Sequence, residues 1–413
     1  MTPASPLWRR LLLFFLVPAI AAISPLLVLP VIARTAGQAG WASAIAGESI
    51  GTVASIAIGF GWLSIGPALV SLADTERRGE LYRASLVVRL LVALIALPLM
   101  CVICWIVASP GSELLASLMG LQGALIALSF TWFSAGIGKP SSIVFYDSIP
   151  RLVLAAACAF AIAHGAPVEL YPIAGISVTL VGTALFTRSV LRHFPSPWPR
   201  WPELPGLFRS SAPVALNDVG LSVYSSVPTP LVTVTAPPAE AAGFASADKM
   251  LKLGQFIPLT LANALQAWIV EAHGPGRSRR MRAAMLTHGG IGIVGGACLG
   301  ILGAWASTVL FGQGASSTTP VLAALGLTFA FFSVRTSMTR HVLYPAGQAA
   351  AVVRATLIAT AVGVPSMIAL ALWIGPTGAA VGYAVTEGAA TVLLWRRCAE
   401  SLHVLDKTQP FVG

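Results

Sequence analysis

About twelve long apolar segments follow one another along the chain, separated by short polar connections. A segment needs about 20 apolar residues to cross the hydrocarbon core of a bilayer. Only 10% of the 413 residues are charged and 56% are hydrophobic, whereas a soluble domain carries roughly 25% charged residues. The sequence therefore predicts an all-α integral membrane protein. We place its transmembrane helices at 11–33, 41–71, 84–108, 113–136, 144–164, 168–190, 211–235, 240–270, 284–311, 318–338, 346–373 and 376–395.

Basic residues are concentrated in alternate connections, and this pattern predicts the orientation of the helices. Cytoplasmic connections of membrane proteins carry an excess of Lys and Arg. The connections near residues 110, 165, 237, 314 and 375 contain no Lys or Arg. The basic connections alternate with them and contain Arg9, Arg10, Arg77, Arg78, Arg83, Lys139, Arg151, Arg188, Arg192, Arg200, Arg209, Arg277, Arg279, Arg280, Arg282, Arg335, Arg340, Arg396, Arg397 and Lys407. Both termini are therefore expected to be cytoplasmic, with an even number of spans.

The same bias explains the net charge of +10, which comes from 25 Lys and Arg against 15 Asp and Glu. A nucleic-acid-binding domain gathers its basic residues on one soluble patch. Here the basic residues are distributed over short connections between apolar segments, so nucleic acid is not an expected partner.

The two halves of the chain resemble one another. AGWASA at 39–44 begins the second predicted span, and AGFASA at 242–247 begins the eighth. Because each half contains six spans, both halves begin on the same side, and the repeats are parallel. This predicts two pseudo-symmetric six-helix lobes, and transporters built in this way hold substrate between their repeats. The predicted parts are a lobe at 1–191, a cytoplasmic linker at 192–210, a lobe at 211–397 and a cytoplasmic tail at 398–413.

Lys249 and Lys252 lie inside the eighth predicted span. They are three residues apart, so they share one helix face, about 15 Å from the start of the span by helical rise. A charge at mid-bilayer costs at least about 2.5–3.5 kcal/mol on insertion scales. Two interpretations remain open: the lysines pair with Asp248, Glu48 or Glu387, or they form a cationic patch that meets an anionic substrate.

Three arginines near the ends of predicted spans are further candidates for contact with an anionic substrate. Arg89 and Arg354 lie one to two turns from the cytoplasmic ends of the third and eleventh spans. Each is expected either to snorkel to the interface or to capture an acidic head group, since the guanidinium binds phosphate in bidentate fashion. Arg34 lies at the outer end of the first span. It is expected to be either an interface anchor or a cation of an outer gate.

Glu48, Asp218, Asp248 and Glu387 are candidates for ion coupling or for internal pairing. Desolvation of a buried carboxylate favours its protonated form, so such groups can bind H⁺ or Na⁺. The chain has no arrangement typical of a hydrolase or a metalloprotease and no Walker-type loop. It is therefore expected to be a transporter, without catalytic residues, a metal site or a cofactor other than a coupling H⁺ or Na⁺.

Three stretches carry a resemblance to a known family. They are VLPVIARTAGQAGWASAIAGESIGTVASIAIGFGWLSIGPALVSLAD with TERRGELYRASLVVRL after it, AAGFASADKMLKLGQFIPLTLANAL, and GPTGAAVGYAVTEGAATVLL. The chain resembles the polysaccharide-exporter branch of the MOP superfamily, the Wzx-type lipid-linked oligosaccharide flippases, which share a MATE-like fold. It departs from many relatives in one respect: they carry an Asp midway along the seventh span, whereas this stretch reads SVYSSVPTPLVTV and the nearest acid is Asp218.

The resemblance implies a central, often cationic cavity between two lobes. It further implies that a bacterial cytoplasmic (inner) membrane protein moves an undecaprenyl-pyrophosphate-linked oligosaccharide to the periplasmic leaflet by alternating access. The expected partners are the lipid-linked glycan, membrane lipids and other polysaccharide-assembly proteins. Two alternatives remain: a MATE-type H⁺- or Na⁺-coupled antiporter of drugs or small solutes, and a membrane enzyme that polymerises or ligates glycans.

Overall fold

The computed structural model describes residues 24–139 and 141–407, and no β-strand occurs in these residues. The helices are α1 (Ser24–Thr35), α2 (Gly37–Gly59), α3 (Trp62–Leu72), α4 (Thr75–Val107), α5 (Glu113–Leu125), α6 (Thr131–Gly136), α7 (Ser141–Ile143), α8 (Ile149–Ala163), α9 (Leu170–His193), α10 (Leu204–Ser226), α11 (Pro228–Thr235), α12 (Pro238–Gly254), α13 (Phe256–Val270), α14 (Gly274–Phe311), α15 (Thr319–Ser337) and α16 (Ala349–Lys407). Short 3-10 or π-helical turns lie at Ile126–Leu128, Val144–Ser148 and Met338–Leu343.

Nine helical stretches of the described residues are long and apolar enough to cross a membrane. This confirms the prediction of a multi-pass, all-helical membrane protein. Helix α1 is a shorter apolar helix and is the described part of the predicted span 11–33; residues 11–23 lie outside the described range. The count of twelve spans and the cytoplasmic location of both termini stay predictions.

Two long helical stretches are broken at glycines. Between α2 and α3, Phe60 and Gly61 have φ of 45° and 79°, the left-handed region that side chains with a Cβ rarely adopt. Within α16, Ile374 and Gly375 depart from helical geometry, and Gly375 has a φ of 63°. Helix α16 therefore consists of two helices, which meet where the sequence predicts the connection between spans 346–373 and 376–395. The break after Gly59 lies inside the predicted span 41–71, which at 31 residues is longer than a straight crossing of the bilayer needs.

The two repeated hexapeptides occupy equivalent places. Every residue of 39–44 from Gly40 onward is buried, as is every residue of 242–247. A Cβ built on Gly40 lies 3.9 Å from Ser112 Oγ, just before α5. One on Gly243 lies 2.6 Å from Ser316 O, just before α15. In both halves, therefore, the glycine of the repeat lies beside the chain that leads into the fourth span of that half, and at Gly243 the approach leaves no room for a Cβ.

Contacts divide the chain into two compact units, whose described residues are 24–241 and 242–407. We call them the first and the second unit. In the first unit, α2 packs on α5 and also on α10 and α11. In the second unit, α14, α15 and α16 pack on one another. The division of the sequence into lobes at the linker 192–210 stays a prediction.

Close helix contact in each unit depends on glycine. A Cβ on Gly47 of α2 would lie 2.1 Å from the carbonyl oxygen of Ala116, and one on Gly51 would lie 2.2 Å from that of Gly120. In the second unit, Gly296 of α14 and Gly326 of α15 face one another, with built Cβ atoms 2.5 and 2.4 Å from the opposite carbonyl oxygen. Small residues let membrane helices pack backbone against backbone, and this packing fixes the helices that carry the charged residues described next.

Candidate functional site

Helix α12 carries Lys252 and its partner Asp248 on consecutive turns. The helix begins at Pro238, where the missing backbone N–H leaves no intrahelical bond unmade. The side chains of Lys252 and Asp248, four residues apart, form an ion pair with Nζ and Oδ2 2.7 Å apart. The Asp248 side chain is fully buried and that of Lys252 is 30% exposed. Asp248 is one of the partners that the sequence offers for the lysines, and the pairing leaves the outer end of Lys252 accessible.

Lys249 lies next to this pair and is 8% exposed. The three ionisable groups of this turn are two ammonium groups and one carboxylate, so they carry one net positive charge when all are ionised. The preceding segment, Ala241–Ala247, is buried throughout. Lys249, Lys252 and Asp248 therefore form a compact cationic group, which we call the α12 cation group.

Glu387 of α16 forms a bidentate ion pair with Arg335 of α15. Arg335 Nε lies 2.8 Å from Glu387 Oε2, and Arg335 Nη2 lies 3.0 Å from Oε1. The Glu387 side chain is 1% exposed and that of Arg335 is 15% exposed. Both carboxylate oxygens of Glu387 thus accept from arginine N–H groups. The role of Glu387 in ion coupling stays a prediction, and the proposed ion site does not include it.

Sequence reasoning missed Arg335 as a buried cation. It counted Arg335 with the cytoplasmic connections, although the residue lies within the predicted span 318–338. Its guanidinium carbon lies 5.9 Å from the centre of the Phe332 ring, an arrangement that stabilises a cation away from water. Two features of the sequence could have identified Arg335 as a cation inside the membrane. It lies within a predicted span, and the isolated acid Glu387 lies within another.

Arg89 is fully buried in the first unit. Its Nη1 donates to the carbonyl oxygens of Ala127 at 2.7 Å and Ser129 at 2.9 Å, and its Nε donates to that of Ser85 at 3.2 Å. The guanidinium lies 5.6 Å from the centre of the Trp132 ring. The helix is interrupted between α5 and α6, so the carbonyl oxygens of Ala127 and Ser129 lie outside a regular α-helix. The expectation that Arg89 snorkels is wrong, because no part of it reaches the surface, and its contacts are those of a structural cation.

Arg34 and Arg354 are both exposed. Arg354 donates through Nε to the carbonyl oxygen of Ala350 in its own helix, at 3.3 Å, so the rest of its guanidinium can make other contacts. The exposure of both residues is compatible with an anchor in the interface or with contact to an acidic head group. Their role stays a prediction.

Asp218 of α10 accepts a hydrogen bond from Ser64 of α3, with Oγ and Oδ2 2.6 Å apart. Asp218 is half-buried and Ser64 is exposed. The contact lies four residues after the break at Phe60–Gly61, and a Cβ on Gly61 would lie 3.0 Å from Val214 Cβ on α10. The break in the second predicted span therefore brings a hydroxyl of α3 to a carboxylate of α10.

Glu48 of α2 is half-buried. It lies within electrostatic range of Tyr171 on α9, and its own carbonyl oxygen accepts from Thr52 at 2.9 Å. Glu48 and Asp218, two carboxylates in predicted spans of the first unit, are thus partly accessible. Within the described residues, no group of three or more His, Cys, Asp or Glu side chains has the arrangement of a metal site.

No protein-family model matches the sequence, and no curated protein matches it. Solved structures match it by fold. An inward-facing multidrug resistance MATE transporter of the MOP superfamily superposes with a TM-score of 0.69 at 16% identity, over 94% of this chain and 96% of that one. The lipid II flippase MurJ in an inward closed conformation gives 0.73 at 14% identity, over 96% of this chain and 90% of that one. A eukaryotic MATE transporter gives 0.55 at 16% identity, over 96% and 99%.

These superpositions cover nearly the whole chain and define a fold of the MATE and MurJ type, that of MOP-superfamily transporters. The expectation of a MATE-like fold is thereby confirmed. At identities of 14–16% the likeness concerns the fold alone, so the substrate has to be argued from the residues of this chain.

Proposed function

We propose that this protein is a flippase that moves an undecaprenyl-pyrophosphate-linked oligosaccharide from the cytoplasmic to the periplasmic leaflet by alternating access. The observation that carries the proposal is the α12 cation group, two ammonium groups beside one buried carboxylate, on a helix made mostly of apolar and small residues. The similarity in fold to the lipid II flippase MurJ supports it, since that protein too is named for a lipid-linked substrate.

The physical argument rests on the two ends of such a substrate. The polyprenyl tail is apolar and can remain in the lipid while the head crosses. The pyrophosphate carries several negative charges, and moving an unpaired charge into hydrocarbon costs many kcal/mol. Fixed ammonium groups at membrane depth lower this cost by replacing part of the hydration that the phosphates lose.

Lys252 is the residue most suited to bind and release the head group. It is 30% exposed and already holds the carboxylate of Asp248. A phosphate oxygen can share the ammonium with this carboxylate, because an ammonium has three donors. Lys249 adds a second ammonium group nearby, and the carboxylate of Asp248 holds Lys252 in place when no substrate is bound. Arg34 and Arg354, both exposed, are proposed as secondary contacts at the ends of the path.

The bacterial inner membrane, the glycan substrate and contact with other polysaccharide-assembly proteins belong to the same proposal. H⁺ or Na⁺ is the proposed coupling ion, with Asp218 as its site. A half-buried carboxylate with a hydroxyl 2.6 Å away supplies oxygen donors of the kind that bind H⁺ or a hard cation.

The second candidate is a MATE-type antiporter that exchanges H⁺ or Na⁺ for a drug or small solute. The fold comparisons support it equally, since two of the three structures described above are MATE transporters. The particular observation in its favour is the accessible Asp218–Ser64 contact. A net cationic group on α12 disfavours it, because it repels cationic drugs.

The test is the double variant Lys249→Ala/Lys252→Ala in a strain that lacks the native gene. We expect lipid-linked intermediates to accumulate and surface glycan to fall at least about tenfold, which corresponds to about 1.4 kcal/mol of lost stabilisation of the moving head group. Lys139→Ala is the matched control, because Lys139 is exposed between α6 and α7. Normal glycan export by a folded double variant would reject the proposal. Sensitivity of the deletion strain to cationic drugs, with normal glycan, would favour the antiporter.

A further inference from the structure

An open apolar groove of about 530 Å³ lies on the first unit between α4 and α9. Leu86 and Leu90 of α4 form one wall, and Leu180 and Leu191 of α9 are on the other. Leu128, just after α5, also lines it and is largely buried. The wall of the groove is therefore mostly apolar.

The length of the groove matches one leaflet of a bilayer. It runs along α9 from Leu180 to Arg192, and twelve residues of helix rise about 18 Å. Half of a hydrocarbon core is about 15 Å thick. Near the cytoplasmic end, the hydroxyls of Tyr82 on α4 and Thr187 on α9 are hydrogen-bonded at 2.6 Å. The groove thus follows a single leaflet, the cytoplasmic one in the predicted topology.

Two arginines mark the cytoplasmic end of the groove. Arg188 and Arg192 are four residues apart on α9, so they project from the same face, and both are exposed. Neither takes part in an ion pair among the residues that the structure describes. Their charges lie where the phosphates of a cytoplasmic leaflet would be, and guanidinium groups bind phosphate through paired N–H donors.

We propose that this groove binds an anionic phospholipid of the cytoplasmic leaflet. An acyl chain lies along the leucines of α4 and α9, and the phosphate lies between Arg188 and Arg192. The one-leaflet length favours a diacyl lipid over a polyprenyl carrier, whose tail is several times longer. Bound lipid would hold α4 against α9 beside the Tyr82–Thr187 hydrogen bond. This proposal is independent of the transported substrate.

The test compares lipid retention by variants reconstituted into nanodiscs of equal parts phosphatidylglycerol and phosphatidylcholine and released for native mass spectrometry. We expect Arg188→Gln/Arg192→Gln to retain at least about fivefold less phosphatidylglycerol than the wild type, since each arginine near an anionic surface contributes a factor of about five. Arg279→Gln/Arg397→Gln is the matched control, with two exposed arginines of the second unit, and is expected to retain the wild-type amount.

A second variant tests the contribution of the apolar groove separately from that of the two arginines. Ala184→Trp keeps both arginines and fills the groove that Ala184 lines, so it is expected to lower the retention of both lipids; thermal unfolding checks that it folds. Three results would overturn the proposal: wild-type retention by the double glutamine variant, an equal loss in the control, or no effect of Ala184→Trp. Displacement of phosphatidylglycerol from the wild type by an isoprenyl diphosphate at equal concentration would also overturn it, by assigning the groove to a polyprenyl carrier.

Discussion

Two acids of each unit, which lie in predicted spans, differ in their burial and in the contacts that the structure resolves. In the second unit, Asp248 and Glu387 are almost fully buried, and each lies against a cation, Lys252 or Arg335. In the first unit, Asp218 and Glu48 are half-buried, and Asp218 accepts its hydrogen bond from the neutral hydroxyl of Ser64. The difference teaches that a buried acid in this chain is not by itself an ion-coupling site, because a close cation already contacts its carboxylate.

The comparison assigns different tasks to the units. The second unit pairs its buried acids with cations and places two ammonium groups beside one carboxylate in the α12 cation group, which suits an anionic head group. The first unit keeps carboxylates that water and ions can reach, which suits coupling. The first unit does contain an ion pair, Arg151–Asp147 at 2.6 Å, but both side chains are more than a fifth exposed.

The largest effect is expected from breaking the buried pair of the second unit. Arg335→Ala leaves the carboxylate of Glu387 buried without this cation, and losing one partner of a buried pair costs about 3–5 kcal/mol. Thermal unfolding in detergent measures the loss. The control is Arg396→Ala, which breaks the Arg396–Glu400 pair, whose side chains are 90% and 58% exposed; it should cost less than about 1 kcal/mol. Equal losses would remove the distinction between buried and accessible acids.

Arg89→Leu is expected to destabilise the first unit by about 3 kcal/mol, because three backbone carbonyl oxygens lose a charged donor. Unfolding measurements give this number. Transport per folded molecule should stay near that of the wild type, because Arg89 has no exposed surface. A stable variant that folds normally but has lost transport would instead restore Arg89 to the substrate path.

Much of the fold follows from the sequence, because span length and the basic connections depend only on local composition. The second break, at Ile374–Gly375, coincides with a predicted connection. The first, at Phe60–Gly61, lies in an unbroken apolar run and becomes evident only in the backbone geometry.

The partners of the buried charges could not be predicted in the same way. A helix that is apolar on all sides gives no period that shows which face meets a neighbour. The pairing of Asp248 with Lys252 was accessible from their spacing of four residues. That of Arg335 with Glu387 depends on how α15 and α16 pack, and the bonds of Arg89 depend on the interruption between α5 and α6.

Glycine contacts allow a matched test of packing in the two units. Gly47→Ala and Gly296→Ala each place a Cβ within 2.5 Å of a facing carbonyl oxygen, and such overpacking costs about 1–3 kcal/mol. Gly290→Ala is the control, because its built Cβ meets nothing within 4 Å; it should be neutral or stabilising, since alanine is the better helix former. Thermal unfolding separates them, and destabilisation by Gly290→Ala to the same extent would contradict the packing described for α2 and α14.

The smallest expected effect concerns coupling. Asp218→Asn removes the accessible carboxylate of the first unit and should lower transport driven by an imposed H⁺ or Na⁺ gradient about tenfold, or about 1.4 kcal/mol. The matched variant is Glu387→Gln, assayed per folded molecule in the same proteoliposomes, and it should retain its response to the gradient. The reverse pattern would move ion coupling from the first unit to the second.

The central claim, that the α12 cation group binds a pyrophosphate head, is tested most directly by measuring the Kd of an isoprenyl diphosphate for the purified protein in detergent. We predict that Lys249→Ala/Lys252→Ala weakens binding about tenfold or more, since each charge-assisted hydrogen bond contributes about 1.5–3 kcal/mol, while Lys249→Arg/Lys252→Arg retains most of the affinity. An unchanged Kd in a folded alanine double variant would contradict the account.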